Sequence, residues 1–262
     1  MSNVQVKILS PQSESAFVSG WYELANDSHF WMKGRLAAVL KQFKRNHIPF
    51  DRNLRGMEIG CGHGVLRAQI ENNTQWTVDG CDLDHASLKN NKQLRGDVYL
   101  YNIFDRAHFL KEYYDFIILY DVIEHIENVK IFMDAALYHL KPGGYVFINV
   151  PALNSLYSRY DKVVGHCRRY DKEMMVKELT DCGLNIVHMN YWGFSFLPVL
   201  QLRKKILESV EEEKIVQKGF RPPGKFANGF LNAVIHAEVA LMPNPISGTS
   251  LMAIAQKSDK VN

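Results

Sequence analysis

The stretch Met57-Glu58-Ile59-Gly60-Cys61-Gly62-His63-Gly64 decides the fold. It reads as the end of a buried strand that turns through three glycines at alternate positions and enters a helix over Val65–Glu71. Glycines there let the backbone turn tightly and let a ligand lie against it with no Cβ in the way. A second apolar stretch, Trp76-Thr77-Val78-Asp79-Gly80-Cys81, leads to Asp82. That acid stands about 20 residues past the glycines, where a doubly wound sheet places a carboxylate on ribose hydroxyls. Turn and acid together imply a nucleoside-containing ligand, with Leu83 placed to pack on its base. The run is G-x-G-x-G and not G-x-G-x-x-G, so the pyrophosphate fingerprint is imperfect. Glu58, two residues before the first glycine, would repel a pyrophosphate but help to hold a cationic or ammonium-bearing ligand.

Outward from this stretch, strands alternate with helices. A helix is expected over Lys33–Asn46, where Leu36, Val39, Leu40 and Phe43 repeat at helical spacing, with Pro49 beyond its end. Strands are expected at Leu54–Gly60, Trp76–Leu83, Val98–Ile103, Tyr114–Val122 and Tyr145–Val150, then at Asn185–Trp192 and Ser250–Gln256. Asp84 caps a helix beginning at His85, and further helices cover Ile126–Leu140 and Lys172–Cys182, the last ended by Gly183. This rhythm predicts an α/β fold, a parallel sheet with helices on both faces. Residues 1–30 are expected to form a flap or short helices, and residues 152–170 a loop over the active mouth. Residues 194–245 read as two amphipathic helical stretches split at Arg221-Pro222-Pro223-Gly224. The division is therefore an N-terminal helical cap (1–50), a cofactor-binding core (51–193), a helical cover (194–247) and a final core strand (248–257).

The chain has 262 residues, 47% hydrophobic and 23% charged, an ordinary globular balance. A net charge of +3 is too small to imply nucleic acid. The cysteines Cys61, Cys81, Cys167 and Cys182 form no C-x-x-C pair, so reduced packing thiols in a reducing compartment are expected. The N-terminus lacks a basic-then-apolar signal, and no apolar run approaches the roughly 18 residues of a membrane span. A soluble cytoplasmic protein, monomer or homodimer, is the expectation. Phe194, Phe196, Leu197, Val199, Leu200 and Leu202, followed by Arg203-Lys204-Lys205, leave peripheral contact with a lipid surface as an alternative to a core face or dimer contact.

Two further segments carry candidate chemistry. In Asp121-Val122-Ile123-Glu124-His125, Glu124 and His125 would start the crossing helix; they either cap it or, for His125, act as a general base. In Gly165-His166-Cys167-Arg168-Arg169-Tyr170, His166 is a second candidate base. Arg168 or Arg169 would bind a carboxylate or phosphate of an acceptor bidentately, with at least one of them structural. Tyr170 would pack on the acceptor or donate to it, or else fill the core.

The E-x-G-x-G-x-G form, Asp82, the Asp121–His125 segment and Lys141-Pro142-Gly143-Gly144 resemble the class I S-adenosylmethionine-dependent methyltransferases. The G-H-x-R-R-Y pattern, with His29-Phe30-Trp31 and Arg35, resembles a bacterial group of them, some linked to polysaccharide or lipid-linked glycan modification. The resemblance implies a Rossmann-like sheet of seven strands, mostly parallel, whose last strand inserts antiparallel between the fifth and sixth. It implies S-adenosylmethionine as cofactor, with S-adenosylhomocysteine as product. The implied cofactor residues are Glu58, Gly60, Gly62, Gly64, Asp82, Leu83, Asn102, Ile103, Tyr120 and Asp121. Asn102 or Asp105 would receive the adenine amino group, and Tyr120 and Asp121 would lie near the reacting methyl. Trp31, with Tyr22, would belong to a lid or pack against the sheet edge; Trp31, Arg168, Arg169 and Tyr170 would meet the acceptor. No metal is expected; the alternative is a D-x-x-E-H cluster of Asp121, Glu124 and His125 completed by His166. The implied activity is methyl transfer to an oxygen of a small-molecule or lipid-linked acceptor. N-methylation is the runner-up, and a non-catalytic binding module or a nicotinamide-dependent oxidoreductase are the rivals from other classes. Nucleic-acid methylation is disfavoured, since Asn149-Val150-Pro151-Ala152 stands where base methylases carry an N/D-P-P-Y/F/W motif.

Overall fold

A computed structural model of the chain describes residues 4–12, 24, 26–49, 51–221 and 224–259. Tyr22, and Pro222 and Pro223 of the anticipated break, lie outside the described residues.

The strands are β1 (Val6–Ile8), β2 (Arg55–Ile59), β3 (Thr77–Asp82), β4 (Val98–Leu100), β5 (Tyr114–Tyr120), β6 (Leu140–Pro151), β7 (Leu184–Trp192) and β8 (Ser250–Lys257). They form one sheet in the order β1-β4-β3-β2-β5-β6-β8-β7. Only β8 runs against its neighbours: it pairs antiparallel with β6 from Tyr145↔Gln256 to Pro151↔Ser250, and antiparallel with β7 on its other side. The chain steps from β2 outward to β3 and β4, then returns to β5 on the opposite side of β2. Strand order thus reverses between β2 and β5, and open α/β sheets bind ligands outside the carboxyl ends at that point.

The helices are α1 (Phe30–Arg45), α2 (Val65–Asn73), α3 (His85–Leu88), α4 (Val129–Tyr138), α5 (Arg159–Val163), α6 (Lys172–Asp181), α7 (Leu197–Leu207), α8 (Glu212–Phe220) and α9 (Lys225–Leu241). Successive side chains of a strand point to opposite faces. Ile117 and Leu119 accordingly join Ile148, Val150, Leu251 and Ala253 on one face, covered by Phe132 and Met133 of α4 and Met175 and Leu179 of α6. Phe116 and Ile118 join Phe147, Met252 and Ile254 on the other, covered by α1, α2 and Ile235 of α9. Gly34 of α1 faces Ile235 so closely that a Cβ would come within 2.3 Å of it, which brings N-terminal cap and helical cover together over one sheet face.

Four expectations need correction. First, the sheet has an eighth strand. Within the supposed flap, β1 pairs parallel with β4 (Val6↔Val98, Ile8↔Leu100), with Val4 buried beside it. Second, the crossing helix begins later than Ile126. Asn128 caps α4 by accepting from Ile131 N, and Ile123–His125 form a separate 3-10 turn. Third, residues 152–170 are more than a loop, since they contain α5. Fourth, the helical cover has three helices among its described residues, because α7 and α8 part at Glu208–Glu211 with neither Gly nor Pro between them. Arg159 supplies the reason: its Nη1 donates to the carbonyls of Leu207, Glu208 and Val210 at 3.3, 2.9 and 2.8 Å, satisfying groups that an ending helix leaves open.

Among the described residues, no helix is long and apolar enough to cross a membrane. All four cysteines are free of disulfides.

Candidate active site

One cavity of about 500 Å³ opens at the carboxyl ends of β2 and β5 and runs from the glycine turn to the inner side of the helical cover. Its two ends differ in chemistry.

At the first end, Gly60, Gly62 and Gly64 all have left-handed φ angles (74°, 49° and 69°). Gly62 N donates to Asp82 Oδ2 at 2.8 Å and Asp84 N donates to Oδ1 at 3.0 Å, so the carboxylate is fixed by the turn it follows. Burial pushes the Asp82 carboxyl above its ordinary range, against the pull of those backbone donors. Leu83 stays 37% exposed beside it and lines the cavity, an apolar surface suited to a flat ring. Asn102 also lines the cavity and caps the 3-10 turn Ile103–Asp105, its Oδ1 accepting from Phe104 N. Asp105 does not line it: its carboxylate accepts from Ser10 Oγ at 2.5 Å. Of these two residues, Asn102 alone lines the cavity. Nor is Asp105 a helix cap; Asn102 is.

The turn tolerates little. A Cβ on Gly64 would meet Asn91 Oδ1 at 1.9 Å, and Asn91 is occupied in holding Gly62 O and Arg67 Nη1. Gly64→Ala should therefore destabilise the fold by about 2 kcal/mol or more, combining left-handed strain with displacement of a buried amide. Urea unfolding of both proteins measures this.

Glu58 is buried at the floor of this end, its Oε2 accepting from Arg67 N at 2.9 Å. Burial raises its carboxyl to about 7, although Arg35 and Arg67 pull the other way. From its ordinary value of 4.5 up to about 7 the folded chain holds a proton that the unfolded chain has lost. This group therefore lowers stability as pH rises through that window. A cationic ligand beside it favours the carboxylate and reverses the trend. S-adenosylmethionine should raise the melting temperature more at pH 8 than at pH 6, and Glu58→Gln should flatten the difference. Equal shifts at both pH values would remove Glu58 from the ligand's surroundings.

In the middle, Tyr120 and Asp121 end β5. Asp121 takes a left-handed φ of 57°, held by three bonds. Its N donates to Asn149 O at 2.8 Å, its Oδ1 accepts from Asn149 Nδ2 at 2.8 Å, and its Oδ2 accepts from Arg35 Nη1 at 2.7 Å. Asn149 Oδ1 in turn accepts from Trp192 Nε1, and Trp192 stacks on Trp31 with centroids 4.4 Å apart. Trp31 thus both packs at the end of β7 and walls the cavity.

At the far end, His166 Nδ1 lies 2.9 Å from Asp161 Oδ1, and its Nε2 lies 3.9 Å from Glu124 Oε1. Burial alone would raise the Asp161 carboxyl, but the hydrogen bond from His166 and the charge of Arg169 hold it well below the usual range. Asp161 thus orients the His166 ring through Nδ1 and leaves Nε2 facing the cavity side of Glu124. Arg169, 3% exposed, donates Nε to the same Asp161 oxygen at 2.8 Å and Nη1 to Ala152 O at 3.2 Å. His125 Nδ1 meets Gly165 O at 3.2 Å, and burial, then His166, lowers its imidazole to about 4. Glu124 is fully buried, and among the described residues neither carboxyl oxygen has a hydrogen-bond partner. Burial, then Asp121, pushes its carboxyl well above the ordinary range.

Glu124, His125 and His166 offer ligand atoms within 4.8 Å of one another and are the residues that would hold a metal. Asp121, the fourth member of the anticipated cluster, is committed to Arg35 and Asn149 instead. Two anticipated acceptor contacts also fall elsewhere. Arg168 reaches away from the cavity to Glu178 Oε1 (3.4 Å) and Glu127 O (3.0 Å). Tyr170 is a core residue with no exposed surface, its hydroxyl donating to Ile123 O at 3.4 Å. Tyr160, from the segment expected over the mouth, lines the cavity, and so do Leu200, Arg203 and Phe220 of the helical cover, which the sequence does not single out as site residues. Phe196, Leu200 and Arg203 recur at i, i+4 and i+7, so one face of α7 was readable, although its inward direction was not. That inward turn also divides the stretch considered for lipid contact: Phe194, Val199 and Leu202 are exposed, whereas Phe196 is buried.

Comparison with known proteins agrees with this architecture. A ubiquinone biosynthesis O-methyltransferase, mitochondrial, of Dictyostelium discoideum is 29% identical over 118 residues, which cover 39% of this chain and 36% of that protein. The chain therefore matches little over a third of that relative's length. Phosphoethanolamine N-methyltransferase 2 of Haemonchus contortus, solved with S-adenosyl-L-methionine, superposes with a TM-score of 0.56 at 18% identity, covering 88% of this chain and 56% of that one. The [4+2]-cyclase SpnF superposes with the same TM-score at 15% identity over 87% of this chain and 81% of its own. At these identities the structural likeness shows the fold alone, and a cyclase among the neighbours illustrates that a fold does not fix a reaction. The family profile described as Methyltransferase domain matches residues 28–189, more than half of the chain. This chain belongs to the methyltransferase-domain family.

Proposed function

We propose that the protein transfers a methyl group from S-adenosylmethionine to an oxygen of a small-molecule or lipid-linked acceptor. The observation that carries this reading is a single cavity with a carboxylate-lined glycine turn at one end and the His166–Asp161 pair at the other. The cofactor fits the first end on the residues present. Gly60 brings backbone without a Cβ to the crevice between Cys61 and Glu58, Asp82 keeps lone pairs for ribose hydroxyls, exposed Leu83 faces the base and buried Glu58 favours positive charge. The bound cofactor supplies an electrophilic methyl on a sulfonium, and the protein supplies alignment and exclusion of water.

His166 Nε2, oriented through Nδ1 by Asp161, removes the acceptor's hydroxyl proton as the methyl arrives. His125 is poorly suited to proton removal, because an imidazole lowered to about 4 is a weak base at pH 7. Arg35 holds Asp121, and through Asn149 and Trp192 the same network fixes Trp31 over the cavity. Four unpaired thiols suit a reducing compartment such as the cytoplasm.

Calorimetric titration with S-adenosylmethionine, S-adenosylhomocysteine and NAD tests the cofactor. A screen for S-adenosylhomocysteine release across glycans, lipid-linked sugars, phenols and amines tests the acceptor. Binding of NAD in place of the methyl donor would sink the reading. EDTA in the active assay separates the two uses of Glu124, His125 and His166. An unchanged rate is expected for a base, and a loss restored by a divalent ion would make the cluster a metal site.

A further inference from the structure

Three guanidinium groups line the cavity, those of Arg35, Arg169 and Arg203. Two have carboxylate partners: Arg35 is bonded to Asp121 at 2.7 Å and Arg169 to Asp161 at 2.8 Å. Arg203 has none among the described residues. Its Nη1 donates to Gly219 O at 3.1 Å, and its guanidinium carbon lies 4.5 Å from the centroid of the Tyr160 ring. A carbonyl and a π-face hold a cation in position but do not neutralise it. The fit is built for this: a Cβ on Gly219 would come within 2.5 Å of the Tyr160 ring, so helix, ring and guanidinium meet only because that residue is glycine.

Among the described residues no carboxylate forms an ion pair with Arg203, and Asp161 attracts its charge only from a greater distance. That carboxylate is bonded to both Arg169 and His166. Burial depresses the Arg203 guanidinium, the sign of a charge that is poorly solvated and would gain from a counter-ion. Of the five donors of a guanidinium, one is committed to Gly219.

We propose that Arg203 is the anchor of an anion subsite in the acceptor end of the cavity, and that the methyl acceptor carries an anionic oxygen group, a phosphate or a carboxylate. This rests on the methyl-transfer reading above. Phe196 and Leu200 precede Arg203 on the same face of α7, so an acceptor with an apolar body would lie along them with its anion on Arg203 and its hydroxyl toward His166. The cavity is then sorted by charge. Glu58 and Asp82 favour the sulfonium at one end, Arg203 favours the oxyanion at the other, and a cationic acceptor is rejected.

The test uses the full chain saturated with S-adenosylhomocysteine. It is titrated at constant ionic strength with inorganic phosphate, acetate or tetramethylammonium, and the melting temperature is read. A saturable rise with phosphate or acetate is expected, and none with tetramethylammonium; the better of the two oxyanions names the group. Arg203→Gln should raise the half-saturating concentration about tenfold or more, as expected for losing a charge-assisted hydrogen bond, with S-adenosylhomocysteine affinity unchanged. If that variant does not fold, Arg203→Lys replaces it. Loss of the planar fork should then raise half-saturation about threefold to tenfold. An absent oxyanion response in the native chain, or a response that neither variant alters, overturns the subsite. The S-adenosylhomocysteine titration is read separately, so a chain that binds oxyanions through Arg203 but not this compound would fail the methyl-transfer reading alone.

Discussion

His166→Ala should lower turnover on the true acceptor by about 10²- to 10⁴-fold, the range for a lost general base, while the affinity for S-adenosylhomocysteine stays unchanged. His125→Ala should cost far less, about tenfold at most, through packing against His166 (centroids 4.8 Å apart) and not through proton transfer. The contrast follows from how each ring is held. Asp161 accepts from His166 Nδ1 and stays ionised because Arg169 and Ser158 bond to it as well. The His166 proton is therefore fixed on the nitrogen away from the acceptor. His125 has the Gly165 carbonyl at Nδ1 in place of a carboxylate, and burial lowers it to about 4. Asp161→Asn should reproduce much of the His166→Ala loss by releasing the tautomer. It also strips Arg169 of its partner, so its melting curve must be measured alongside. Should His166→Ala keep full turnover, no base acts there, and an acceptor that arrives uncharged, such as a neutral amine, replaces the hydroxyl.

The parts of this molecule written in short spans of chain are legible in the sequence. The glycine turn, Asp82 and the Asp84 cap each depend on neighbours within a few residues or one strand over, and local geometry determines them. What depends on distant partners is not legible. The α7–α8 break is held by Arg159, about fifty residues upstream, and no Gly or Pro marks it. Arg168 and Arg169 look interchangeable in sequence. In the extended segment that bridges Ala152 and Tyr170, alternate side chains point opposite ways, so Arg168 goes with Tyr170 toward Glu178 and Arg169 alone turns to Asp161. Glu124 reads as opening a helix, where its charge would be solvated. The cap at Asn128 instead leaves it inside a 3-10 turn, buried, with its carboxyl pushed above the ordinary range. Arg203 reads as one of three basic residues on a solvated end, because α7 alone does not say which of its faces meets Tyr160.

Asp82→Ala should weaken S-adenosylmethionine and S-adenosylhomocysteine by about 10²- to 10⁴-fold, since two charge-assisted hydrogen bonds of about 1.5–3 kcal/mol each are removed. The carboxylate is in position before any ligand arrives. Gly62 N and Asp84 N each hold one oxygen of a carboxylate that lines the crevice. The same two bonds make Asp82 a brace for the turn, so the alanine variant mixes lost ligand contacts with a loosened loop. Asp82→Asn separates them: it keeps shape and one acceptor but loses the charge, and a loss of about tenfold to a hundredfold is expected. Burial raises the Asp82 carboxyl, so native affinity should also fall as pH drops toward its raised value and the ribose-binding form is lost. Both variants should retain the native response to phosphate at Arg203, which lies at the other end of the cavity. Calorimetry on the three proteins decides the matter. Undiminished binding by Asp82→Ala would mean that the sugar is held elsewhere, and the spacing from glycine turn to acid would then carry no functional meaning.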